Sequence, residues 1–564
     1  MSIATAELPA RSRLTAEEAI MRVAIVALVA FLLFAIALPL ATLLSKSFQD
    51  GEGRFVGLAN YASYFATPTL VASLWNSFWV AALSTTIVVP LAFLYAYGLT
   101  RTRMPARPAF MALALLPLFA PSLLSAISLI YIFGNQGFLK SWLMGASVYG
   151  PIGIILAQVL YCFPHALMIL VTALSLADGR LYEAAAAMGT PRWRVFWTVT
   201  LPGARYGLIS AAFVVFTLVI TDFGIAKVIG GQFNVLATDA YKQVIGQQNF
   251  EMGAVVGFVL LVPAVIAFAL DRQIQRRQVA LLSARAVPLE PQAKPLKDAA
   301  FTAYCSGVGG LIAAVLGVAV WASFVTYWPY NLSLSLKNYH FEDFEPNGSG
   351  PYFASLQMAA IAAVLGTAIV FCGAYLIEKG QGFRAGRALA HLLAMLPMAV
   401  PGLVLGLGYV FFINAKWNPL ELLYGTILLL AINSIAHFYT TAHVTAVTAL
   451  KQIDNEFEAV SASLKVPFYK TFMRVTVPVC MPAILDIAVY MFVNALTTVS
   501  AVIFLYGAST KLASISIVHM DGAGATAAAA AIATLIVLTA LAVKVLHLVL
   551  DRLVFGKLQA WRRR

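Results

Sequence analysis

Long apolar segments alternate with short polar segments along the whole chain. A helix needs about 20 apolar residues to cross the hydrocarbon core of a bilayer. Twelve segments meet this length, and we number them spans one to twelve. They are predicted at 23–44, 74–99, 110–133, 152–174, 206–226, 252–270, 304–328, 353–377, 389–413, 423–447, 483–505 and 526–548. The pattern therefore predicts an all-α membrane protein with about 12 transmembrane helices.

Composition and charge agree with a membrane location. The chain of 564 residues is 61% hydrophobic and only 11% charged, whereas soluble domains carry roughly 25% charged residues. Its net charge is +13, and most Lys and Arg residues fall in alternate loops, which predicts that both termini are cytoplasmic. We attribute the excess of Lys and Arg to orientation in the membrane and contact with membrane lipid rather than to binding of nucleic acid. No metal-ligand spacing is found among the His and Cys residues.

The second half of the chain repeats the first, about 280 residues later. Proline landmarks carry the repeat: Pro117, Pro121, Pro191 and Pro202 in the first half match Pro397, Pro401, Pro467 and Pro478 in the second. Six spans per repeat leave both halves in the same orientation, which predicts two parallel six-helix repeats. We expect two halves at 1–270 and 301–564, joined by a polar, basic cytoplasmic linker at 271–300.

The loop between spans four and five, residues 176–202, has the most distinctive pattern, and we name it the first hairpin. Glu183 and Ala184 begin a strong helix-forming run. Gly189 can take positive φ and end that helix, and Pro191 suits the first turn of the next. We expect Trp193 and Phe196 to be exposed to the cytoplasm, where they would form a docking surface. The alternative is an amphipathic hairpin lying on anionic lipid.

A second hairpin, at 451–478, occupies the same place in the second half. Alignment of the prolines puts Ala459 opposite Glu183 and Lys465 opposite Gly189, while Glu458 comes one residue earlier. Phe468 and Tyr469 are its candidate docking aromatics. Because residues other than glycine rarely adopt positive φ, Lys465 predicts that the second hairpin turns less sharply than the first. We also expect the second hairpin to be less strongly coupled to whatever protein docks there.

The first hairpin resembles the EAA loop of ABC importer permeases, with Glu-Ala-Ala from Glu183, a Gly six positions later, and Leu-Pro thirteen residues after the Gly. The second hairpin is similar to a degenerate copy of that loop. The resemblance covers the whole chain and implies two permease subunits of a type I (MetI-like) importer fused in one polypeptide, similar to the ferric-iron permease family. It implies a cytoplasmic ABC ATPase dimer and a periplasmic solute-binding protein as partners. The chain has no GxxxxGK[ST] phosphate loop, so ATP hydrolysis would belong to a separate subunit. It is predicted to be no enzyme and to carry no cofactor.

The second half also resembles permeases of 2-aminoethylphosphonate importers. This similarity lies in 457–486 and 493–501. It implies 2-aminoethylphosphonate as solute, with ferric iron, thiamine or a polyamine as alternatives.

Polar residues near the ends of spans five and eleven are candidates for lining the translocation pathway. Ionisable groups inside membranes are costly and often functional. Asp222 is such a group, and we expect it to line a central pathway together with Asn494, Thr497, Thr498 and Ser500. The alternative is that Asp222 belongs to an interhelical pair or lies at the level of the lipid headgroups. A carboxylate would attract an ammonium group but repel a phosphonate, so this position alone does not select a solute.

An ion-coupled secondary carrier is the other class of protein with six plus six spans. Such carriers place ionisable residues deep in several spans as relays. The spans of this chain are nearly free of charge, which favours the ATP-driven importer. A membrane-bound enzyme is disfavoured because no paired acids or nucleophile–base motif appears.

Overall fold

The protein is an all-helical membrane bundle, seen here in a computed structural model that describes residues 16–281, 287, 289–380, 382–415, 418–454 and 456–555. Within these residues ten helices are long and apolar enough to cross a membrane, and two bent helix pairs bring the total to twelve. The predicted fold class is confirmed. In span order the helices are Ala16–Lys46, Pro68–Arg101, Arg107–Phe119 with Ser122–Phe133, Pro151–Ser175, Arg192–Thr221, Phe250–Leu281, Pro295–Phe324, Gly350–Glu378, Arg384–Ala399 with Gly402–Ile413, Ile427–Lys451, Phe468–Thr497 and Thr526–Leu550.

Spans three and nine are broken rather than kinked. The helix axis turns by 99° in span three and by 116° in span nine. Pro121 and Pro401 stand at the two breaks, where a missing N–H and the ring prevent the first helix from continuing. Each break therefore starts a new helix inside the membrane region, at Ser122 and at Gly402.

Spans five and eleven differ from their predicted bounds. Their helices start at Arg192 and Phe468, well before the predicted starts at 206 and 483. They end at Thr221 and Thr497, where Asp222 and Thr498 turn to extended backbone. The second arm of each hairpin and the membrane helix that follows are thus one continuous rod. Hydropathy could not show this because the first turns of each rod are polar.

Short elements connect the spans on the side away from the hairpins. Four short helices lie there, Ala59–Ala66, Gly224–Ile229, Leu236–Tyr241 and Ala513–Gly522. An antiparallel pair of strands, Val325–Tyr327 and Asn331–Leu334, follows span seven, with Val325 opposite Leu334.

The first helix of each half packs on the other half. The Tyr409 hydroxyl of span nine donates a 2.8 Å hydrogen bond to the Ala35 carbonyl of span one. The Tyr304 hydroxyl of span seven donates a 2.8 Å bond to the Leu91 carbonyl of span two. Buried polar contacts of this kind fix the register of the two halves.

The predicted linker 271–300 is helical at both ends, because span six continues to Leu281 and span seven begins at Pro295. Residues 282–286 and 288 of this linker lie outside the described residues. Both predicted cytoplasmic termini lie outside them as well, at 1–15 and 556–564. The linker contacts the base of the first hairpin, where the Gly179 amide donates a 2.8 Å hydrogen bond to the Val287 carbonyl.

Candidate functional site

The first hairpin is a helix, a tight turn and a second helix. Its first arm is Gly179–Ala187, and the Asp178 carboxylate caps it by accepting a 3.0 Å hydrogen bond from the Arg180 amide. Gly189 has φ +65°, the left-handed conformation that ends many helices. The Thr190 amide then donates a 3.0 Å bond back to the Ala185 carbonyl. The second arm starts at Arg192 and continues into span five.

The second hairpin makes the same turn without a glycine. Lys465 has φ +55°, and the Val466 amide donates a 2.9 Å bond to the Ser461 carbonyl. This bond matches the one from the Thr190 amide to the Ala185 carbonyl in the first hairpin. The expectation of a less sharp turn at Lys465 is therefore wrong. The surrounding helices impose the turn, and the lysine carries the backbone strain.

Both hairpins expose large apolar side chains. Trp193 is 69% exposed and Trp197 is 60% exposed in the first hairpin. In the second, Leu464 is 70%, Tyr469 46% and Met473 64% exposed. Glu183, Ala184, Gly189, Ala459 and Lys465 are also exposed, whereas Phe468 is half-buried. Apolar side chains in such number on a projecting hairpin are typical of an interaction surface.

Phe196 does not belong to this exposed surface, which corrects the prediction from sequence. Its ring packs against Phe93 and Tyr97 of span two, at centroid distances of 6.2 Å each. In the second hairpin Phe472 packs likewise, 5.9 Å from Phe371 and 4.7 Å from Tyr375. Each phenylalanine begins a single wide turn of π-helix, Phe196–Thr200 and Phe472–Thr476. These matched rings anchor each hairpin to its own half.

A polar contact also ties each hairpin to the end of span two or span eight of its own half. In the first half the Arg101 guanidinium lies over the Tyr182 ring, 5.2 Å from its centroid. In the second half Lys379 Nζ lies 3.5 Å from Glu458 Oε2. Glu458 thus points toward the membrane helices instead of the exposed surface of the hairpin. Its side chain is only 15% exposed, so it is an anchor of the hairpin rather than part of the exposed surface.

Asp222 lies at the end of span five and contacts three other segments. Its Oδ2 accepts hydrogen bonds from Gln158 Nε2 of span four at 3.1 Å and from the Ile225 amide at 2.9 Å. The Ser122 hydroxyl, at the start of the second helix of span three, is a further partner. Tyr161 of span four lies close both to Asp222 and to Tyr490 of span eleven. Tyr161 thus lies between Asp222 and the second half.

The other predicted pathway residues are placed differently from one another. Asn494 and Thr497 are partly exposed and hydrogen-bond to carbonyls of their own helix. Thr498 is buried. Ser500 is partly exposed and lies beside the break of span nine.

His437 of span ten, which the sequence predicts to be a packing or pore-lining residue, faces the same break. A Cβ built on Gly402 would lie 3.1 Å from His437 Nε2 and 3.0 Å from Ser500 Oγ, so glycine alone leaves these groups room at the helix start. His437 Nδ1 has no hydrogen-bond partner within the described residues. Ser122 and Gly402 are matched positions of the repeat, as are Asp222 and Thr498, and that symmetry is the sequence signal that points to this region.

An aromatic contact joins the halves just beyond these groups. Tyr241 lies 5.1 Å from Phe223, the neighbour of Asp222, and 6.1 Å from Phe504 of the second half, between ring centroids. Among the residues described, no cluster of three or more His, Cys, Asp or Glu side chains could hold a metal ion.

Comparison with known proteins gives the family. Residues 88–279 and 380–556 each match the family described as binding-protein-dependent transport system inner membrane component. A protein of Actinobacillus pleuropneumoniae named ferric transport system permease protein FbpB is 26% identical over 552 residues, which cover 92% of this chain and 77% of the relative.

Partial relatives carry other names. The thiamine transport system permease protein ThiP of Salmonella typhimurium is 35% identical over 162 residues, covering 28% of this chain and 30% of the relative. The spermidine/putrescine transport system permease protein PotB of Haemophilus influenzae is 24% identical over 255 residues, covering 43% and 89%. Two copies of one family domain, found where the sequence repeat predicts them, account for most of the chain. The protein is therefore a multi-pass transmembrane permease that belongs to the binding-protein-dependent transport system inner membrane component family.

Proposed function

We propose that this chain forms the translocation pathway of an importer in a bacterial inner membrane, driven by a separate ABC ATPase dimer that binds the two hairpins. The observation that carries the proposal is the continuity of each hairpin's second arm with a membrane span, Arg192–Thr221 and Phe468–Thr497. A displacement of the exposed surface on a rigid helix is transmitted along its length. The hairpins would therefore transmit movements of the bound ATPase to spans five and eleven.

The contacts at the base of each hairpin support this role. Phe196 and Phe472 join each rod to span two or span eight of its own half, so that a pull on a hairpin moves several helices together. Closure of an ATPase dimer would draw the two hairpins together. The halves would then rock about their interface and open the pathway alternately to each side. A periplasmic solute-binding protein would deliver the solute on the side away from the hairpins, and both termini would be cytoplasmic.

The polar groups between the halves support a solute that carries both an amine and an oxyanion, and we propose 2-aminoethylphosphonate. Asp222 offers a carboxylate to the amine. The opposite group is the start of helix Gly402–Ile413, where free amides and the helix dipole favour an anion. His437 and Ser500 stand beside that helix start. The matching helix start, at Ser122, already faces the Asp222 carboxylate. The Ser122 side therefore carries a negative charge, whereas the Gly402 side favours an anion.

Uptake of labelled solute into proteoliposomes containing the permease, ATPase and binding protein tests both levels of the proposal. We expect ATP-dependent uptake of 2-aminoethylphosphonate, lost in the Asp222→Ala and His437→Leu variants, with Asp486→Asn as a control that leaves it unchanged. Asp486 is exposed and lies 3.4 Å from His547, away from the pathway. Uptake of Fe³⁺, thiamine or putrescine instead would refute 2-aminoethylphosphonate as the solute but would still support an ATP-driven importer. Uptake that persists without the ATPase would refute the importer and favour an ion-coupled carrier.

A further inference from the structure

A largely apolar groove of about 710 Å³ lies at the seam between the two halves. Spans one and six of the first half form two walls, with Leu40 from span one and Phe268 and Ala269 from span six. Leu396 and Ala399, at the break of span nine, form the third wall. The groove lies beside the point where span nine bends by 116°, between its first helix and span six.

The groove faces the bilayer and has one charged end. Val262, Val265 and Ile266 on span six are all at least 40% exposed, which identifies a lipid-facing surface. Arg272 and Gln273, at the hairpin side of span six, are the polar residues that line the groove. Since the apolar wall suits an acyl chain and the polar end lies at headgroup level, the groove has the polarity of a phospholipid.

The two acidic residues near Arg272 each have a closer partner. Asp271 is buried, and its Oδ2 accepts a 2.7 Å hydrogen bond from Gln275 on the same helix. Glu378 lies 3.9 Å from Lys451. Within the described residues Arg272 forms no ion pair, so its guanidinium remains available for a bidentate bond to phosphate.

We propose that this groove binds one anionic phospholipid from the leaflet on the hairpin side. An acyl chain lies along Leu40, Phe268 and Ala269, and the phosphate contacts Arg272 and Gln273. The lipid bridges span six of the first half and span nine of the second, across the seam that moves during alternating access. This inference depends on the membrane location of the chain and not on the proposed solute.

Lipid retention measured by native mass spectrometry tests the site. The purified chain in detergent is titrated with phosphatidylglycerol or phosphatidylcholine, and bound lipid is counted. We expect one tightly held phosphatidylglycerol, reduced at least fivefold by Arg272→Gln with phosphatidylcholine unchanged, and kept by Arg272→Lys. Arg552→Gln is the matched control, because Arg552 follows the same Leu-Asp pair at the end of span twelve and is exposed.

A second pair of variants separates the groove from general surface charge. Ala269→Trp fills the groove and should reduce retention of phosphatidylglycerol at least fivefold, whereas Leu270→Trp, on the neighbouring exposed position, should not. Unchanged retention in Arg272→Gln overturns the proposal, whatever the folding of the tryptophan variants. Equal losses in Arg272→Gln and Arg552→Gln also overturn it, since they indicate only an adventitious attraction to basic residues.

Discussion

Lys379 Nζ and Glu458 Oε2 are 3.5 Å apart at the point where the second hairpin meets the end of span eight. Both side chains are mostly buried, at 4% and 15% exposure. The first half fills the matching place with Arg101 over Tyr182. Thus an ion pair and a cation–π contact perform the same anchoring task in the two halves.

Breaking the ion pair should loosen the second hairpin. Removal of one partner of a buried pair leaves an uncompensated charge and costs about 3 kcal/mol. We expect Glu458→Ala to lower the free energy of unfolding by this order and to reduce ATP-driven uptake. The charge-swapped double variant Lys379→Glu, Glu458→Lys should recover part of both. A double variant no better than the worse single variant would contradict the pairing.

The strained turn at Lys465 should respond to glycine. A residue with a Cβ at positive φ costs about 1 kcal/mol relative to glycine. We expect Lys465→Gly to raise the free energy of unfolding by about that amount, and Gly189→Val in the first hairpin to lower it by about 1–2 kcal/mol. Chemical denaturation in detergent measures both. Destabilisation by Lys465→Gly would mean that its side chain outweighs the backbone strain.

The sequence also predicts unequal coupling of the two hairpins. We expect substitutions in the first hairpin to reduce ATP-driven uptake more than matched substitutions in the second. Gly189→Val and Lys465→Val give the direct comparison, and equal losses would count against this expectation.

Phe196 and Trp197 are adjacent but should act differently. Phe196→Ala removes a half-buried anchor and should destabilise the protein by about 2 kcal/mol. Trp197→Ala removes an exposed ring and should leave the melting temperature unchanged while weakening ATPase binding. Melting temperature and ATPase pull-down distinguish the two effects. Equal melting temperatures in both variants would contradict the inward packing of Phe196.

Asp521 should make stability depend on pH. It lines a cavity of about 310 Å³ between the halves, on the side away from the hairpins. Burial raises its pKa from 3.8 to about 6, so folding favours the protonated form. The stabilisation of the folded state by the protonated carboxyl group is complete below pH 3.8 and is lost as the pH rises through about 6. We expect Asp521→Asn to melt like the wild type at pH 4 but at higher temperature at pH 7. A difference that does not change with pH would be inconsistent with this assignment.

Hydropathy, repeat spacing and proline positions were sufficient to predict the twelve spans and the two halves. They could not show that spans three and nine turn by about a right angle, because Pro117 and Pro121 mark a weak point without giving its angle. Nor could they orient Phe196, since a difference of about half a helical turn, or two residues, separates an exposed face from a buried one. The turn at Lys465 was mispredicted because local preference at one residue is weaker than the packing of two anchored helices.

The partners of the pathway groups were equally hidden from sequence. Gln158, Ser122 and Asp222 are distant in the chain and meet only through the packing of spans three, four and five. His437 has no local motif, and its position beside Gly402 depends on the break of span nine. Pairing each residue with its counterpart in the other half is the one sequence signal that points to them.

Site-specific photocrosslinking from the hairpins to the ATPase tests the central claim most directly. A photoreactive residue at Trp193 or Tyr469, both exposed, should yield a crosslink to the ATPase in membranes that contain the whole importer, whereas one at Phe55, exposed beyond span one, should not. Crosslinks from both hairpins are the predicted result. Labelling of lipid alone from Trp193 and Tyr469, with the ATPase present and active, would contradict the account.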